Sequence, residues 1–600
     1  MNAMNNRVFN GWLGRVVVMI KFDRQTWLRF SRIVRPFLTS EMRGWAWGLL
    51  ALLAVFSISV SGINAMMSYV GRDFMTALSL KQRSDFFHHL YRYLGTFALA
   101  TPVVVLYRYT EERLGLMWRR WLTDYFMRRY LNGYAYYWLN WEGGIDNPDQ
   151  RMAEDIRSFC SQTLSFLLII FNSLIALALF VNILWSISGY LPLAALLYAI
   201  LGSVMTYYLG RRLIGLNFSQ LKMEADYRYK MINVRDNAES IALYRGEKEE
   251  FTRARQRLQS AIRNLLDIIS WNRNLNFFTT GYNYVVAIIP IVIVGPLYFD
   301  GRIEFGQVTQ AGIAFGVVLN ALSIIVLNFQ SISSFAAVVN RLASFEEILD
   351  TLQGPTCDPA SHKGIALKAG NRMAFENVTI MTPRRDQLLV RDLSFALDGT
   401  SMLICGPSGS GKSAILRVLS GLWRTGTGQV IGPEPRNAFY ISQRPYMVLG
   451  SLRSLLVYAQ ARSAVLDHEL EEVMQRVGLD GMVQRVGGLG ATLDWANVLA
   501  TGEQQRIVFA RMLLAKPEFV FLDEATNAVD AATEAHLYRL VRALTPNFIS
   551  IGHRVILETH HDMVLELQGE DGGWHLEKRD RLALTTASAV PPTRSSSGIR

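Results

Sequence analysis

Eight consecutive residues, Gly406-Pro407-Ser408-Gly409-Ser410-Gly411-Lys412-Ser413, have the G-x-x-x-x-G-K-[ST] spacing of a phosphate loop. They follow the apolar run SMLIC and open the stretch SAILRVLSGLW, which predicts a strand, a tight loop and a helix in that order. Glycines let backbone N–H groups converge on phosphate oxygens, Lys412 neutralises β/γ-phosphate charge, and Ser413 offers a hydroxyl to Mg²⁺. Beginning 107 residues after Lys412, Phe519-Val-Phe-Leu-Asp523-Glu524 reads as a buried strand ending in two carboxylates. Parallel core strands are continuously apolar, and their C-terminal ends face the ligand crevice. That end places Asp523 to hold Mg²⁺ through water and Glu524 to polarise an attacking water as general base. The chemistry expected is hydrolysis of a nucleoside triphosphate.

The elements that must carry this chemistry lie in an α/β region beginning near residue 371. Short apolar runs such as NRMAFENVTI, SMLICG, FVFLDE and NFISIGH alternate there with helical stretches. Before it the chain has another character. The protein has 600 residues, half of them apolar and only 18% charged, against about 25% in an ordinary globular protein. Disorder is excluded by that apolar content. Three cysteines far apart, Cys160, Cys357 and Cys405, exclude a disulfide scaffold and offer no zinc-ligand spacing. Six apolar segments, near 45–68, 93–110, 165–187, 190–209, 276–298 and 309–336, approach the ~20 residues that cross a bilayer as helix. The expected organisation is a cytoplasmic segment 1–44, a six-helix transmembrane domain 45–350, a linker 351–370, a nucleotide-binding domain 371–581 and a disordered tail 582–600.

Charge fixes the expected orientation. Residues 1–44, 111–163 and 210–275 hold 28 Lys and Arg, whereas the alternate loops hold five. Basic residues stay on the cytoplasmic side, so the N-terminus, the two long loops and the α/β region are assigned there. Those three stretches carry 28 basic and 18 acidic residues, a net +10 of the chain's +11. The basicity is therefore topology, and no nucleic-acid partner is expected, because the charge runs lack interleaved aromatics. Residues 211–275 have few Gly or Pro and a broken apolar rhythm, which predicts helices continuing beyond the bilayer.

Further strings resemble a known family. Gln443 in FYISQRPYM, Leu499-Ala-Thr-Gly-Glu-Gln-Gln-Arg506, Asn527-Ala-Val-Asp530 and His553 in FISIGHR follow the phosphate loop in order. Together they resemble the Q-loop, signature motif, D-loop and switch histidine of ABC-transporter ATPases. The resemblance implies ATP and Mg²⁺ as cofactors. It implies Glu524, His553 and Gln443 as catalytic residues, with Ser413, Gln443 and Asp523 around the metal. It adds Ala500, Gly502 and Gln504 to the nucleotide contacts made across a homodimer interface. The strings FYISQRPYMVLGSLR, Trp495-Ala-Asn-Val-Leu and Gly572-Gly-Trp574-His-Leu-Glu-Lys are similar to subfamily D, the peroxisomal-type half-transporters, and to bacterial relatives with an SbmA/BacA-like membrane domain. So are Asn147-Pro-Asp-Gln150 with Asp155, and Asn237 through Gly246. Those two membrane-half strings are expected to hold the coupling helices that meet the ATPase near Gln443.

Two departures stand out. Ala500 occupies the serine position of the usual Leu-Ser-Gly-Gly-Glu signature, and losing one hydrogen bond to a charged group costs about 1.5–3 kcal/mol. Met381 and Thr382 stand where an adenine-stacking tyrosine is expected. The transmembrane segments carry Asn172, Asn182, Asn283, Asn320, Asn328, Gln330, Tyr207 and Tyr208, which either join helices or line a polar cavity. The expected activity is ATP-driven transport of a bulky polar solute, a peptide, cobalamin or similar small molecule, across the lipid bilayer of a bacterial inner membrane. A very-long-chain acyl-CoA transporter and a membrane-anchored regulatory ATPase of slow turnover are the alternatives.

Overall fold

The computed structural model describes residues 24–142, 148–324, 328–353, 364–383, 386–458 and 465–578. Residues 1–23 of the N-terminal segment, Asn147, Cys357 with most of the linker, and the tail 582–600 lie outside these. The chain divides into two compact units, Met1–Gln353 and Gly354–Arg600.

The first unit is helical. A short helix α1 (Arg24–Thr39) precedes the long helices α2 (Arg43–Ser79), α3 (Arg83–Leu131), α4 (Ile156–Ile187), α5 (Tyr190–Asp236), α6 (Glu247–Phe299) and α7 (Phe305–Leu322); α8 (Phe329–Gln353) ends the unit. Six helices among the described residues are long and apolar enough to cross a membrane. At 1.5 Å per residue the 53 residues of α6 extend about 80 Å, far beyond a ~30 Å hydrocarbon layer. The charged halves of α5 and α6 are thus continuous with their apolar halves, as the broken apolar rhythm of 211–275 predicts, and α3 is continuous in the same way.

The sixth apolar segment differs from its expected form. Helix α7 stops at Leu322, and a separate helix resumes at Phe329. Asn328 donates both its backbone N–H and its side-chain amide to Ile324 O, at 3.0 and 2.9 Å.

Several polar residues of the transmembrane segments act as joints. Asn172 of α4 donates to Tyr107 Oη of α3 at 3.0 Å and accepts from the Ser57 hydroxyl of α2. Tyr198 and Tyr282 stack with centroids 4.2 Å apart, and each hydroxyl donates to the other's backbone carbonyl at 2.9 and 3.0 Å. A Cβ on Gly202 would stand 2.5 Å from the Tyr282 ring, so glycine there permits the α5–α6 contact. Asn182, Asn283 and Asn320 remain exposed on the single chain, as does Tyr208. The side chains of Tyr207 and Gln330 lie outside the described set.

The string around Asp155 now has a structural account. Pro148–Gln150 forms one helical turn, residues 151–155 a wide π-type turn, and Asp155 is buried. Arg341 of α8 grips its two carboxylate oxygens at 2.8 and 2.6 Å. Arg151 returns the contact to Arg341 O (2.7 Å) and Ser344 Oγ (2.9 Å). Residues 237–246 form the short helix Ala238–Tyr244 between α5 and α6, with Leu243 and Tyr244 exposed.

The second unit is α/β. Strands β1 (Ala366–Ala369), β2 (Met373–Met381), β3 (Leu388–Leu397) and β5 (Gly426–Gly432) form a sheet in the order β1-β5-β2-β3. The main sheet contains β4 (Met402–Cys405), β6 (Ala438–Ile441), β7 (Phe519–Asp523), β8 (Phe548–Ile551), β9 (Met563–Leu567) and β10 (Trp574–Lys578). Its order is β10-β9-β4-β8-β7-β6, parallel except for the edge pair β9/β10. Strands β4, β7 and β8 are almost wholly buried, as parallel strands covered on both faces must be. Helices α9 (Lys412–Leu419), α10 (Thr501–Ala515) and α11 (Ala531–Leu544) complete the elements that carry the site.

Candidate functional site

The central strand β4 ends at Cys405 and delivers the chain into the loop 406–411. Gly406 has φ 133°, and a Cβ there would lie 2.4 Å from Leu567 O. No other residue fits the turn. Gly409 and Gly411 are also left-handed, while Ser408 and Gly409 stand exposed at the tip. Ser410 is buried, and its hydroxyl makes no hydrogen bond among the described residues. Lys412 opens α9 at 7% exposure, and its Nζ donates to Gly406 O (2.9 Å) and Pro407 O (2.7 Å). The ammonium therefore lies inside the curl of the loop. Burial pushes its pKa down, opposed by Glu524, Cys405 and Asp523. A buried cation, a loop curled by left-handed glycines and an unbonded hydroxyl suit a phosphate chain.

Ser413 Oγ lies 3.3 Å from Asp523 Oδ1. A hydroxyl beside a carboxylate is a hard-oxygen pair, the donor chemistry that Mg²⁺ takes. Burial raises the pKa of Asp523, the Ser413 hydrogen bond opposes this, and Glu524 adds to the rise.

Glu524 is the hub of the site. Its backbone is left-handed, φ 47°, a conformation that costs a non-glycine residue about 1–3 kcal/mol. The bond from Glu524 N to Ile551 O (3.1 Å) holds it there. Oε2 accepts from Gln443 Nε2 (2.7 Å) and Asn527 Nδ2 (2.8 Å), and Oε1 lies 3.1 Å from His553 Nε2. Residues spread over 110 positions thus meet on one carboxylate. The sequence places Gln443, Glu524 and His553 among the catalytic candidates. It places Asn527 only in the D-loop resemblance, and the one signal that its side chain binds Glu524 is an amide three residues after a carboxylate.

The signature residues are occupied differently. Ala500 caps α10 with extended backbone and no side-chain bond, and its N–H donates to Glu503 Oε2 at 3.1 Å. A Cβ on Gly502 would lie 2.9 Å from Ala528 O, and Gln505 Oε1 accepts from Ala528 N (3.1 Å). Gln504 Nε2 donates to Ala496 O and Leu499 O, both at 2.9 Å, so its amide hydrogens are spent on the preceding turn. Among the described residues Ala500 thus bonds Glu503, Gln504 bonds residues 496 and 499, and Gln505 bonds the 528 turn, none of them reaching the phosphate loop. Thr382 pairs with Gln387 through Thr382 N to Gln387 O (3.0 Å) and Gln387 N to Thr382 Oγ1 (3.2 Å). Its hydroxyl also bonds Asp386. The residue at the expected adenine-stacking position is thus engaged in closing its own turn.

Comparison with known proteins gives the same picture. Residues 33–299 match the family described as ABC transporter transmembrane region 2, and residues 390–527 match the family described as ABC transporter. An uncharacterised ABC transporter ATP-binding protein of Synechocystis is 43% identical over 89% of this chain and 82% of its own. ABC transporter D family member 2, chloroplastic, of Arabidopsis thaliana is 36% identical over 92% of this chain and 88% of its own. The chain belongs to the ABC transporters of subfamily D. The lysosomal cobalamin transporter ABCD4 of Homo sapiens is 32% identical over 78% of the transporter and 82% of its own length. In fold the transporter is similar to a bacterial Atm1-family ABC exporter solved with ATP bound, with a TM-score of 0.68 and 18% identity over 92% of this chain and 97% of that one. The transporter is therefore a membrane protein of exporter fold whose ATPase hydrolyses ATP with Mg²⁺ and couples that hydrolysis to transport.

Proposed function

We propose that this transporter acts as a homodimer in a bacterial inner membrane, with its N-terminus and ATPase in the cytoplasm, and moves a bulky polar solute such as a peptide or cobalamin. The observation that carries the cargo reading is a cleft of about 580 Å³ between α3 and α4, where Arg108, Glu111, Glu112, Arg119 and Arg157 stand beside the apolar Leu116 and Leu164. Charges of both signs around one cleft suit a hydrated solute better than an acyl chain. The charge asymmetry of the loops supports the orientation, and the membrane-half strings support an SbmA/BacA-like grouping. A second reading, transport of an acyl-CoA, is favoured by an apolar cleft of about 370 Å³ bounded by Ile291, Val292, Pro296, Phe299 and Phe305.

At the ATPase, the backbone N–H groups from Gly406 to Gly411 and the Lys412 ammonium hold the triphosphate, with Ser408 and Ser410 contributing hydroxyls. Ser413, Asp523 and Gln443 are the residues that would hold Mg²⁺, which would supply positive charge to offset the phosphate oxygens. Glu524 accepts a proton from the attacking water, and His553 orients that carboxylate and meets the γ-phosphate. Ala500, at the N-cap of α10, and Gly502 face a second copy's nucleotide, which is why one chain alone leaves the site incomplete, while Gln504 braces the turn before α10 instead. ATP closing the dimer and hydrolysis reopening it bias two arrangements of the membrane helices.

The test is uptake into proteoliposomes of cobalamin, a peptide and an acyl-CoA by wild type and Lys412→Ala. ATP-dependent uptake of a polar solute, lost in Lys412→Ala, is expected. Uptake of the acyl-CoA alone would reverse the cargo reading, and ATP turnover without uptake of any of them would favour a regulatory ATPase.

A further inference from the structure

Glu534 belongs to none of the sequence motifs, yet it ties together the two segments that carry the hydrolytic centre. It sits in the first turn of α11 with 1% exposure. Its Oε2 accepts from Thr526 Oγ1 (2.7 Å) and from Arg554 Nη1 (3.2 Å). Arg554 also donates from Nη2 to Asn527 O at 3.1 Å. Thr526 and Asn527 follow Glu524 by two and three residues, and Arg554 directly follows His553.

The sheet alone does not fix Glu524 against His553. Strands β7 and β8 run parallel in register as far as Asp523 and Ile551, and the bond from Glu524 N to Ile551 O is the last rung between them. Beyond that rung both chains leave as loops, and the 3.1 Å approach of His553 Nε2 to Glu524 Oε1 needs another support. The Glu534–Arg554 pair spans that gap from beneath. As a stability device the arrangement is poor. A buried ion pair is weak evidence for stability, and Glu534 Oε1 is buried without a hydrogen bond among the described residues.

We propose that Glu534 and Arg554 are positioning residues for ATP hydrolysis, clamping the loop after Glu524 to the loop after His553 so that the histidine and the carboxylate keep hydrogen-bond distance. The proposal rests on the roles given above to Glu524 and His553.

The experiment is steady-state ATPase kinetics of the full-length transporter in proteoliposomes, with Arg554→Gln, Arg554→Lys, Thr526→Val and Thr526→Ser, each alone and combined with His553→Ala. Loss of placement without loss of binding lowers kcat about tenfold in Arg554→Gln and leaves the KM for ATP within about twofold. Thr526→Val lowers kcat in the same sense, and Thr526→Ser, which retains the hydroxyl, recovers it. In the His553→Ala background Arg554→Gln costs less than about twofold more, because residues acting as one unit are not additive. Multiplicative losses in the double variant, an unchanged kcat in Arg554→Gln, or a KM that moves with kcat would each overturn the proposal. If Arg554→Gln does not fold, Arg554→Lys and Thr526→Val give the same kinetic split. If His553→Ala and Glu524→Gln themselves retain normal turnover, the underlying assignment fails, which is a distinct result.

Discussion

Restoring the signature serine by Ala500→Ser probes two separate consequences of one missing hydroxyl. Ala500 is the N-cap of the 15-residue helix α10, with φ −60° and ψ 151°, the extended backbone that a capping serine adopts. Half of a capping box already exists, because Glu503 Oε2 accepts from Ala500 N at 3.1 Å. Arg485 holds the same Glu503 carboxylate from outside at 2.8 Å. A serine at 500 would supply the other half by accepting a backbone N–H of the first turn. Replacing Ala by Ser at such a cap adds about 1 kcal/mol. For a unit of this size that raises Tm by about 2–4 °C. The second consequence is catalytic. A hydroxyl donating to the γ-phosphate across the dimer is worth about 1.5–3 kcal/mol; realised only in the transition state, it raises kcat about 10–150-fold. Thermal unfolding in detergent and ATPase kinetics on the same preparation separate the two terms. A higher Tm with unchanged kcat and KM would refute the contact with a partner's phosphate. An unchanged Tm would refute the capping argument itself.

Other variants test different joints. Burial pushes His561 down to about 4 from the usual 6.5, the Leu557 carbonyl opposing and His560 and Arg542 adding to the drop. The unfolded chain then binds the extra proton between those two values. Stability is thus full above pH 6.5 and falls by about 3 kcal/mol on acidification to pH 4. His561→Gln should flatten that part of a melting-temperature profile, and a slope unchanged in the variant would remove His561 as its source. Gly202→Ala drives a methyl into the Tyr282 ring and should lower the stability of the helical unit by about 1–3 kcal/mol; adding Tyr282→Leu should restore most of it. Asp155→Ala leaves Arg341 without its bidentate partner. Since that guanidinium is half-exposed, the loss should be about 2 kcal/mol, read by urea unfolding monitored through Trp fluorescence. Gly406→Ala should abolish nucleotide binding, measured by a fluorescent ATP analogue, because its Cβ meets Leu567 O; retained binding would mean that β9 can give way.

The polar residues of the membrane half show where sequence reasoning stops. Asn172 reads equally well as a cavity-lining group or as a joint, because both uses need one uncharged amide in an apolar helix. The contacts with Ser57 and Tyr107 make it a joint among three helices. The partner of Asp155 is equally invisible along the chain, since Arg341 lies 186 positions away and nothing in its neighbourhood distinguishes it from other arginines.

Local spacing determined much of this protein by itself. Glycines at 406, 409 and 411 before Lys412 specify a loop whose backbone must be left-handed. An unbroken apolar strand specifies a buried one, and an apolar segment of membrane length has few other uses. Each of these rests on bond geometry or solvent transfer over a few neighbouring residues, which the order of side chains expresses directly. Tertiary structure alone decided that Gln443, Asn527 and His553 converge on Glu524. It alone decided that Gln504 is spent on its own turn and that Glu534 sits beneath the site. Those outcomes depend on which strands become neighbours in the sheet, β7 beside β6 and β8, and pairing between distant segments leaves no local mark on the sequence.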